Sequence, residues 1–559
     1  MSVHQILTQF GAHELPRSLQ IFAPELVLCI TIILLLLFRM TGLSRRLPVH
    51  LVALLGSLIV FIGVFTQFMY QRVGVDNNVL QALYDLWRVT DNGVGTSGPY
   101  FTGLLVHDAF AMFFRLGLSL FVVFVVALTI LTGIPDEEDG QDFYTLLLGA
   151  TLGMLLAVGS NHLLMLFLSV EMMSVPSYAL VAFQKGRKQA SEAALKYVIY
   201  GAGTAGIMLY GISLLAGLTG TALLPELGER IAHAAGEGTL VQTNSLTITL
   251  LLSILMVLVG LAFKLSLVPF HFWCPDAFEG ATAEVCAFLS VASKAAAFGL
   301  LVRFVLAFQG DSPLLHQIGL VMGLALGVVA IVTCTYGNLA AYLQNNLKRM
   351  LAYSTIAHAG YMVMAISALL VILNPPGKPS GLTTQQAAGC LEGLMYYLGV
   401  YLFMNLGAFA CVALIRNETF SEDISAYRGL VQNGAVTQFL CVCLSCCFFS
   451  LIGIPPMGGF FGKLAIFRSV YEAGSVHWLL WVVLAVGAVN TVISLFYYLR
   501  VMKAMFLESP APEQQKVQMP QVLGAYVGLI TLPVLLLGAS PLMAYLSSTA
   551  RFVATRLIP

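Results

Sequence analysis

The chain has 559 residues, of which 58% are hydrophobic and only 10% are charged. Its 27 basic residues balance its 27 acidic residues, and its mean hydropathy is +0.88. A soluble globular domain carries about a quarter of its residues as charges, so this composition excludes a soluble enzyme. A net charge of zero also argues against a nucleic-acid binder, which needs a basic surface to neutralise phosphates.

Long apolar segments recur along the chain and predict an all-α integral membrane protein. A helix that crosses the bilayer needs about 20 mostly apolar residues. By that rule we expect about fourteen spans in a single membrane domain, 1–559, the first of them a retained helix rather than a cleaved signal. The predicted spans are 21–40, 51–71, 105–133, 142–160, 162–184, 195–218, 245–272, 281–308, 314–339, 347–373, 386–415, 434–471, 476–506 and 519–547.

Basic residues outside these spans predict the orientation of the chain. The odd-numbered loops contain thirteen Lys or Arg residues, including Arg45 and Arg46, whereas the termini and the even-numbered loops contain eight. Cytoplasmic loops carry the excess of Lys and Arg. With an even number of spans, this distribution predicts that both termini lie on the outer side of the membrane.

Four cysteines cluster in the apolar segment 439–454, namely Cys441, Cys443, Cys446 and Cys447. Metal-binding cysteines usually lie in a loop that can wrap around an ion. A buried free cysteine behaves instead as a small apolar residue. We therefore predict packing residues here, with no metal site and no disulfide framework.

Few charged residues fall inside the predicted spans. Among the acids we expect only Glu171 deep within a span, and among the bases Lys264, Lys294 and Lys463 need an explanation. A lysine at the bilayer centre costs roughly 2.5–3.5 kcal/mol on insertion scales, and such residues usually mark ion or proton paths. Lysine suits a proton relay because burial lowers its pKa, whereas arginine keeps its proton.

Several of these residues have a plain structural alternative. Glu171 and one lysine would form an inert clasp between helices, although such a clasp leaves the other lysines unpaired. Lys196 begins span 6, and a side chain that reaches the headgroups explains it nearly as well as a relay. His358 is a candidate relay in the second half, and His271 is a weaker one; a hydrogen-bonded packing role is equally compatible with a lone membrane histidine.

Two spans are interrupted beside a lysine. Span 7 contains Pro269 shortly after Lys264, and span 12 contains Pro455, Pro456 and several glycines shortly before Lys463. Broken membrane helices are tolerated where they are buried in protein or line a cavity, and in transporters they mark midplane sites within internal repeats. Because the breaks lie five spans apart, we predict two inverted five-helix repeats, spans 4–8 and 9–13. The alternative is two ordinary proline kinks.

Three sequence segments carry a family resemblance, namely Phe263–Asp276 followed by Ser293 and Lys294, Leu347–Tyr361, and Gly453–Lys463. They resemble the antiporter-like membrane subunits of respiratory complex I. The resemblance covers roughly spans 4 to 13, and its motifs are long.

This resemblance implies a fold of fourteen helices with two inverted five-helix repeats. It implies that Glu171 pairs with Lys264, that Lys294 lies on a central axis, that Lys463 lies toward the exit and that Lys196 is the lysine of span 6. It places NADH, FMN, iron–sulfur clusters and quinone in partner subunits, so we expect no cofactor in this chain. The partners implied are other membrane subunits of a quinone oxidoreductase, within the lipid bilayer.

The chain departs from the family pattern in two segments, 71–103 and 219–244. Together, the spans, the breaks and the resemblance predict four parts. These are N-terminal helices 1–3 in 1–141, a first repeat in 142–308, a second repeat in 309–506 and a C-terminal helix in 507–559.

The function we expect is proton translocation, as a subunit of a redox-driven NADH:quinone oxidoreductase in a bacterial inner membrane. Protons from the cytoplasm would load Lys264 and Lys294, pass by His358 to Lys463 and leave on the periplasmic side, where both termini lie. One alternative is a sodium/proton antiporter subunit of a non-redox or hydrogenase-type complex. Another is a structural scaffold with inert charged clasps.

Overall fold

The computed structural model describes residues 14–42, 48–73, 98–136, 139–184, 186–235, 245–376, 384–510, 520–539 and 541–558. Most of segment 71–103 and the end of segment 219–244 lie outside the described residues, as do Arg45 and Arg46. Within the described ranges the fold is a helical bundle with one addition to the predicted all-α architecture. This addition is a short antiparallel hairpin of β1, Gly98–Tyr100, and β2, Leu105–His107.

Twenty helices are numbered here in chain order. The first half of the chain contains α1 Leu15–Ile21, α2 Ala23–Thr41, α3 Val49–Val73, α4 Ala109–Thr132, α5 Gly140–Val158, α6 Leu163–Val181, α7 Lys188–Thr219, α8 Leu224–Ala235, α9 Ser245–Leu265, α10 Trp273–Gly280, α11 Ala283–Phe288 and α12 Lys294–Leu306. The second half contains α13 Pro313–Tyr342, α14 Leu347–Leu373, α15 Thr384–Thr419, α16 Ala435–Ile452, α17 Gly458–Gly474, α18 Leu479–Leu507, α19 Gln521–Leu536 and α20 Pro541–Leu557.

Thirteen helical segments among the described residues are long and apolar enough to cross a membrane. They correspond to the first thirteen predicted spans, with most boundaries displaced by a few residues; of the predicted span 12, 434–471, only Ala435–Ile452 passes the test. The predicted fourteenth span, 519–547, is not one straight helix, because α19 and α20 pass the same test only together and are bent by 73°. The prediction of a multi-span helical membrane protein is thus confirmed, with thirteen or fourteen crossings.

Polar caps and glycines fix where several helices begin and end. The Oδ1 atom of Asp108 accepts the Ala111 N–H at 2.8 Å at the start of α4, and the Oδ1 atom of Asn346 accepts the Arg349 N–H at 3.1 Å at the start of α14. Such caps satisfy backbone donors that have no partner within the helix. At the end of α16, Gly453 has a φ of 89°, a left-handed conformation that favours glycine.

Both predicted interruptions are present. The chain leaves α9 at Leu265 and turns through 266–272 before α10, and it leaves α16 at Ile452 and restarts with α17. The two halves of the second break pack so closely that a Cβ atom on Gly459 would lie 1.9 Å from the Ser450 carbonyl oxygen. Only glycine permits that approach, which explains the glycine-rich sequence after the two prolines.

The most buried spans form the centre of the bundle. They are α14, α15 and the span Ala283–Leu306, which consists of α11, a π-helical turn at Leu289–Ser293 and α12. Helices α2, α7 and α18 lie at the periphery and leave much of their apolar surface uncovered. The central helices carry Lys294 and His358, so these polar side chains are enclosed by protein rather than exposed to hydrocarbon.

A buried ion pair joins the N-terminal helices. An Nη atom of Arg115 on α4 lies 2.5 Å from a Glu25 carboxylate oxygen on α2, and both residues are almost fully buried. Glu25 is thus a buried acid near the start of the first span, whereas Glu171 was predicted midway along the fifth. Burial and the nearby Arg115 charge lower the pKa of His107 in β2 to about 3, so its neutral ring can accept a hydrogen bond from Arg115 at 3.3 Å.

Candidate functional site

Lys264 lies one residue before the end of α9 and is completely buried. Its Nζ atom donates a hydrogen bond to the Tyr197 hydroxyl at 3.3 Å. The Tyr197 ring stacks on Trp273 at 4.1 Å, and the Trp273 indole N–H donates to the Phe263 carbonyl at 2.9 Å. Residues from both sides of the helix break thus build an aromatic wall around one ammonium group.

Glu171 lies on α6 and interacts electrostatically with Lys264. Within the part of the chain that the structure describes, however, no Glu171 oxygen lies within 4.0 Å of the Lys264 Nζ atom. Tyr178 and Tyr197, whose rings are 4.5 Å apart, also interact with the Glu171 charge. The structure therefore brings Glu171 and Lys264 into one region without the direct ion pair that the family resemblance implies.

Lys196 is separated from the buried lysines. Its side chain is 43% exposed and forms ion pairs with Glu192 at 2.8 Å and Asp276 at 3.0 Å. Asp276 also accepts a hydrogen bond from Arg349 at 2.7 Å. These residues line a polar cavity of about 210 Å³ at the end of the bundle where α7 and α14 begin, called here the Arg349 face. The position of Lys196 fits the structural alternative, in which this lysine reaches the headgroups instead of serving as a relay. The next residue in the chain, Tyr197, is the one that contacts Lys264.

Lys294 is the first residue of α12, directly after the π-helical turn. Its Nζ atom donates to the Thr355 carbonyl at 2.9 Å and to the Thr355 hydroxyl at 3.0 Å. Such π turns occur often at functional sites. The local sequence has neither proline nor glycine at this turn, so it gave no signal for it.

His358 lies one turn beyond Thr355 on α14 and is fully buried. Its Nδ1 atom lies 2.5 Å from the Tyr397 hydroxyl, and its Nε2 atom lies 3.4 Å from the Tyr498 hydroxyl. The Tyr498 hydroxyl is also hydrogen-bonded to Ser354. The tyrosines were missed in the sequence because apolar segments contain many aromatic residues, and only the fold shows which of them face a histidine.

Lys463 lies on α17, just beyond the second break. Its Nζ atom donates to the carbonyl oxygens of Leu451 and Ile452, each at 3.0 Å, and lies 4.5 Å from the centroid of the Tyr361 ring. Tyr361 is on α14, and its ring centroid is 5.8 Å from that of His358. One helix thus presents groups that contact both the Lys294 region and the Lys463 region.

A hydrogen-bonded amide and tyrosine cluster extends from Tyr361. Its hydroxyl accepts from Asn338 at 3.2 Å, and the Asn338 side-chain oxygen accepts from Tyr497 at 3.1 Å. His271, the weaker histidine candidate, lies elsewhere. Its ring packs 4.4 Å from Tyr336, and among the described residues no hydrogen bond joins it to the lysines.

A second polar cavity, of about 380 Å³, lies at the opposite end of the bundle, called here the Glu392 face. It is lined by side chains from the start of α15 and the end of α17, which include Glu392, Arg468 and Glu472, and by Arg551. Lys463 lies on the same helix as Glu472, between the cavity and the break. The two polar cavities therefore flank the buried residues on opposite faces.

One buried acid was passed over in the sequence. Glu284 lies in the first turn of α11, is 1% exposed, and neither of its carboxylate oxygens has a hydrogen-bond partner among the described residues. Glu284 lies three residues inside the predicted span 281–308, and this position could have identified it as an acid within the membrane domain. This acid belongs to the central span that also carries Lys294.

Comparisons with known proteins agree on one family. The family model described as NADH:quinone oxidoreductase/Mrp antiporter, TM, matches residues 160–494. NADH-quinone oxidoreductase subunit N of Anaeromyxobacter sp. (strain Fw109-5) is 41% identical over 76% of this chain and 81% of its own length. NAD(P)H-quinone oxidoreductase subunit 2 of Gloeobacter violaceus is 36% identical over 88% of this chain and 83% of its own.

Solved structures share the fold. A chain of respiratory complex I from Thermus thermophilus has a TM-score of 0.66 at 27% identity and covers 92% of this chain and 96% of its own length. A chain of the Mrp complex from Dietzia sp. DQ12-45-1b has a TM-score of 0.71 at 19% identity and covers 97% of this chain and 98% of its own length. Because the Mrp chain is only 19% identical, its similarity to this chain shows a shared fold and nothing more.

Proposed function

This chain belongs to the family of antiporter-like membrane subunits of NADH-quinone oxidoreductase, and we propose that its buried lysines and His358 carry protons across the membrane. Its relatives identify it as a proton-pumping membrane subunit of the N type. It therefore contributes to an NADH:quinone oxidoreductase, a translocase, as one subunit of a larger assembly. We assign NADH, FMN, the iron–sulfur clusters and quinone to partner subunits.

The position of His358 between Lys294 and Lys463 carries the proposal. Lys294 donates to Thr355, which lies three residues before His358 on α14, and Lys463 lies over Tyr361, three residues after it. Residues three apart on a helix lie on neighbouring surface. One helix face therefore supplies a short polar connection between two lysines that belong to different halves of the chain.

Proton uptake is assigned to the Arg349 face. Lys196 and Asp276 line the cavity there, and Tyr197, the residue after Lys196 in the chain, accepts a hydrogen bond from Lys264. The Glu171 carboxylate acts on Lys264 at a distance, so a small movement of α6 or α9 changes the charge that Lys264 experiences. In this proposal such a movement, driven by quinone reduction in a partner subunit, makes Lys264 pass its proton toward Lys294.

Proton release is assigned to the Glu392 face, by way of Lys463. Moving one charge across the membrane costs about 2.3 kcal/mol per 100 mV. A change of one pKa unit corresponds to about 1.36 kcal/mol. Shifts of a few units at successive lysines are therefore enough to drive each proton outward.

The two helix breaks support an internal repeat. In span 7 the helix α9 ends at Leu265 and a turn follows through 266–272, and in span 12 the break separates α16 from α17. We propose that spans 4–8 and 9–13 are inverted repeats, since five crossings reverse the direction of entry into the bilayer. The excess of basic residues in odd-numbered loops assigns the Arg349 face to the cytoplasm and both termini to the periplasmic side of a bacterial inner membrane.

The test uses the intact complex in proteoliposomes. Lys294→Met should retain NADH-driven quinone reduction and lose proton pumping per electron. Lys503→Met is the matched control, because Lys503 is 65% exposed and lies outside the proposed route. Normal pumping in Lys294→Met would contradict the relay. If a sodium ionophore abolishes ion transport and a protonophore does not, the result would favour the sodium/proton alternative.

A further inference from the structure

We propose that Glu284 is the proton-accepting group of a second inlet, which reaches His358 from the Arg349 face along the contact between α11 and α15. The inlet bypasses Lys264 and supplies the second half of the chain directly. This inference rests on the proposed function, because it requires His358 to be part of a proton relay.

Glu284 is an unusual residue for its position. It lies within the span Ala283–Leu306, is 1% exposed, and has no hydrogen-bond partner on either oxygen among the described residues. An ionisable residue inside a membrane bundle is costly and usually functional. Capping of α11 does not explain it, because Thr282 already accepts the Val285 N–H at 3.4 Å.

Further buried polar atoms lie deeper in the bundle, where the same span packs against α15. The Asn405 amide donates to the Ser290 hydroxyl at 2.6 Å, and Ser290 lies six residues beyond Glu284, about 9 Å along the helix axis. The Asn405 side-chain oxygen and the Tyr401 hydroxyl are both buried and have no hydrogen-bond partner within the described ranges. The Tyr401 ring centroid lies 5.5 Å from that of His358.

This arrangement forms a polar seam, defined here by Glu284, Ser290, Asn405 and Tyr401. Leaving a buried polar group unsatisfied costs about 1–3 kcal/mol, and proteins usually satisfy such groups with ordered water. Glu284, Asn405 and Tyr401 each have buried unpaired atoms, and such atoms point to bound water molecules between them. Water, a serine hydroxyl and a tyrosine hydroxyl can all pass a proton on.

The outer end of the polar seam lies beside charged residues at the Arg349 face. Lys348 donates to the Ala281 carbonyl at 2.5 Å and forms an ion pair with Glu422 at 2.8 Å. Ala281 is three residues before Glu284, so the acid lies close beneath this charged surface. The seam consequently extends from the face assigned to proton uptake to the histidine at the centre of the relay.

The experiment compares Glu284→Gln, Glu284→Asp and Tyr401→Phe in the intact complex, reconstituted in proteoliposomes. The control is Glu229→Gln, because Glu229 is 75% exposed on α8. Pumping per electron and NADH-driven quinone reduction are measured together. Infrared difference spectra of the oxidised and NADH-reduced enzyme report carboxyl groups that change protonation.

Glu284→Gln should assemble, retain quinone reduction, lose part of the pumping and lose a carboxyl band. Glu284→Asp should retain the band, and Tyr401→Phe should lower pumping. Normal pumping in Glu284→Gln overturns the inlet, and so does a pumping loss with an unchanged carboxyl spectrum. If Lys294→Met loses pumping while Glu284→Gln does not, only the inlet is wrong. If Lys294→Met pumps normally, the proposed relay itself fails.

Discussion

The ammonium group of Lys463 lies 3.0 Å from the carbonyl oxygen of Ile452, the last residue of α16. Carbonyls at a helix C-terminus lack partners within the helix and carry partial negative charge. The break thus provides a ready acceptor for a charged lysine inside the bundle. Lys264 has a related position, one residue before the end of α9. Each broken span thus places a lysine at or beside the end of a half-helix, so the breaks and the lysines coincide in the structure.

Replacing Lys264 by Ala should leave an assembled complex with depressed proton pumping, because the group that accepts the proton is removed. Lys264→Arg should fail as well, since guanidinium keeps its proton. The measurement is pumping per electron in proteoliposomes, with subunit content as the check on assembly. Normal pumping in the Ala variant would count heavily against a relay through this residue.

Changing Glu171 to Gln should lower pumping while the bundle stays folded, because the amide preserves shape and removes charge. Glu171→Asp should do less harm, since Glu171 acts on Lys264 without direct contact and a shorter carboxylate still supplies the charge. The ratio of pumping to quinone reduction distinguishes the three forms. Equal ratios in all three would show that Glu171 and Lys264 are not electrostatically coupled in the working enzyme.

The sequence predicted the features that composition and spacing control. Thirteen crossings, both helix breaks and the burial of Lys264, Lys294 and Lys463 follow from hydropathy, from proline and glycine chemistry and from the cost of charge in hydrocarbon. The direction of a side chain does not follow from these rules. Lys196 and Tyr197 are adjacent, yet one forms surface ion pairs and the other reaches a buried lysine.

Other features depend on packing between distant segments. The π-helical turn before Lys294 has no local sequence signal, and the separation of Glu171 from Lys264 depends on how α6 and α9 each pack against α7. Tyr397 and Glu284 also escaped prediction. One is an aromatic residue among many, and the other is an acid at the edge of a predicted span. Tertiary structure is needed to show that both face the interior.

The buried pair of Glu25 and Arg115 should be structural. Glu25→Gln leaves the Arg115 charge without its partner, and breaking a buried ion pair in this way costs about 3–5 kcal/mol. We expect lower thermal stability and partial loss of the subunit from the complex, measured by melting in detergent and by subunit content. Glu226→Gln is the control, because the Glu226 side chain is 42% exposed. A melting temperature equal to the parent's would show that the pair contributes no net stability.

His358→Ala should interrupt transfer between the two halves of the chain while quinone reduction continues. Tyr397→Phe should give a smaller loss, because it removes one hydroxyl and leaves the Tyr498 contact to the histidine in place. Pumping per electron is again the measurement. A packing role for His358 predicts the reverse pattern, in which a smaller side chain lowers stability and the assembled complex pumps at the normal ratio.

Lys463→Met should block proton release while loading at Lys264 remains intact. Lys463→Glu should retain partial function, because a buried carboxylate also binds and releases a proton. The alternative is that Lys463 only caps α16 through the Leu451 and Ile452 carbonyls, and it predicts that the Met variant is unstable or fails to assemble. Subunit content therefore separates the two accounts before pumping is measured. A Met variant that assembles fully and pumps normally would defeat both, since the lysine would then serve neither the relay nor the helix end.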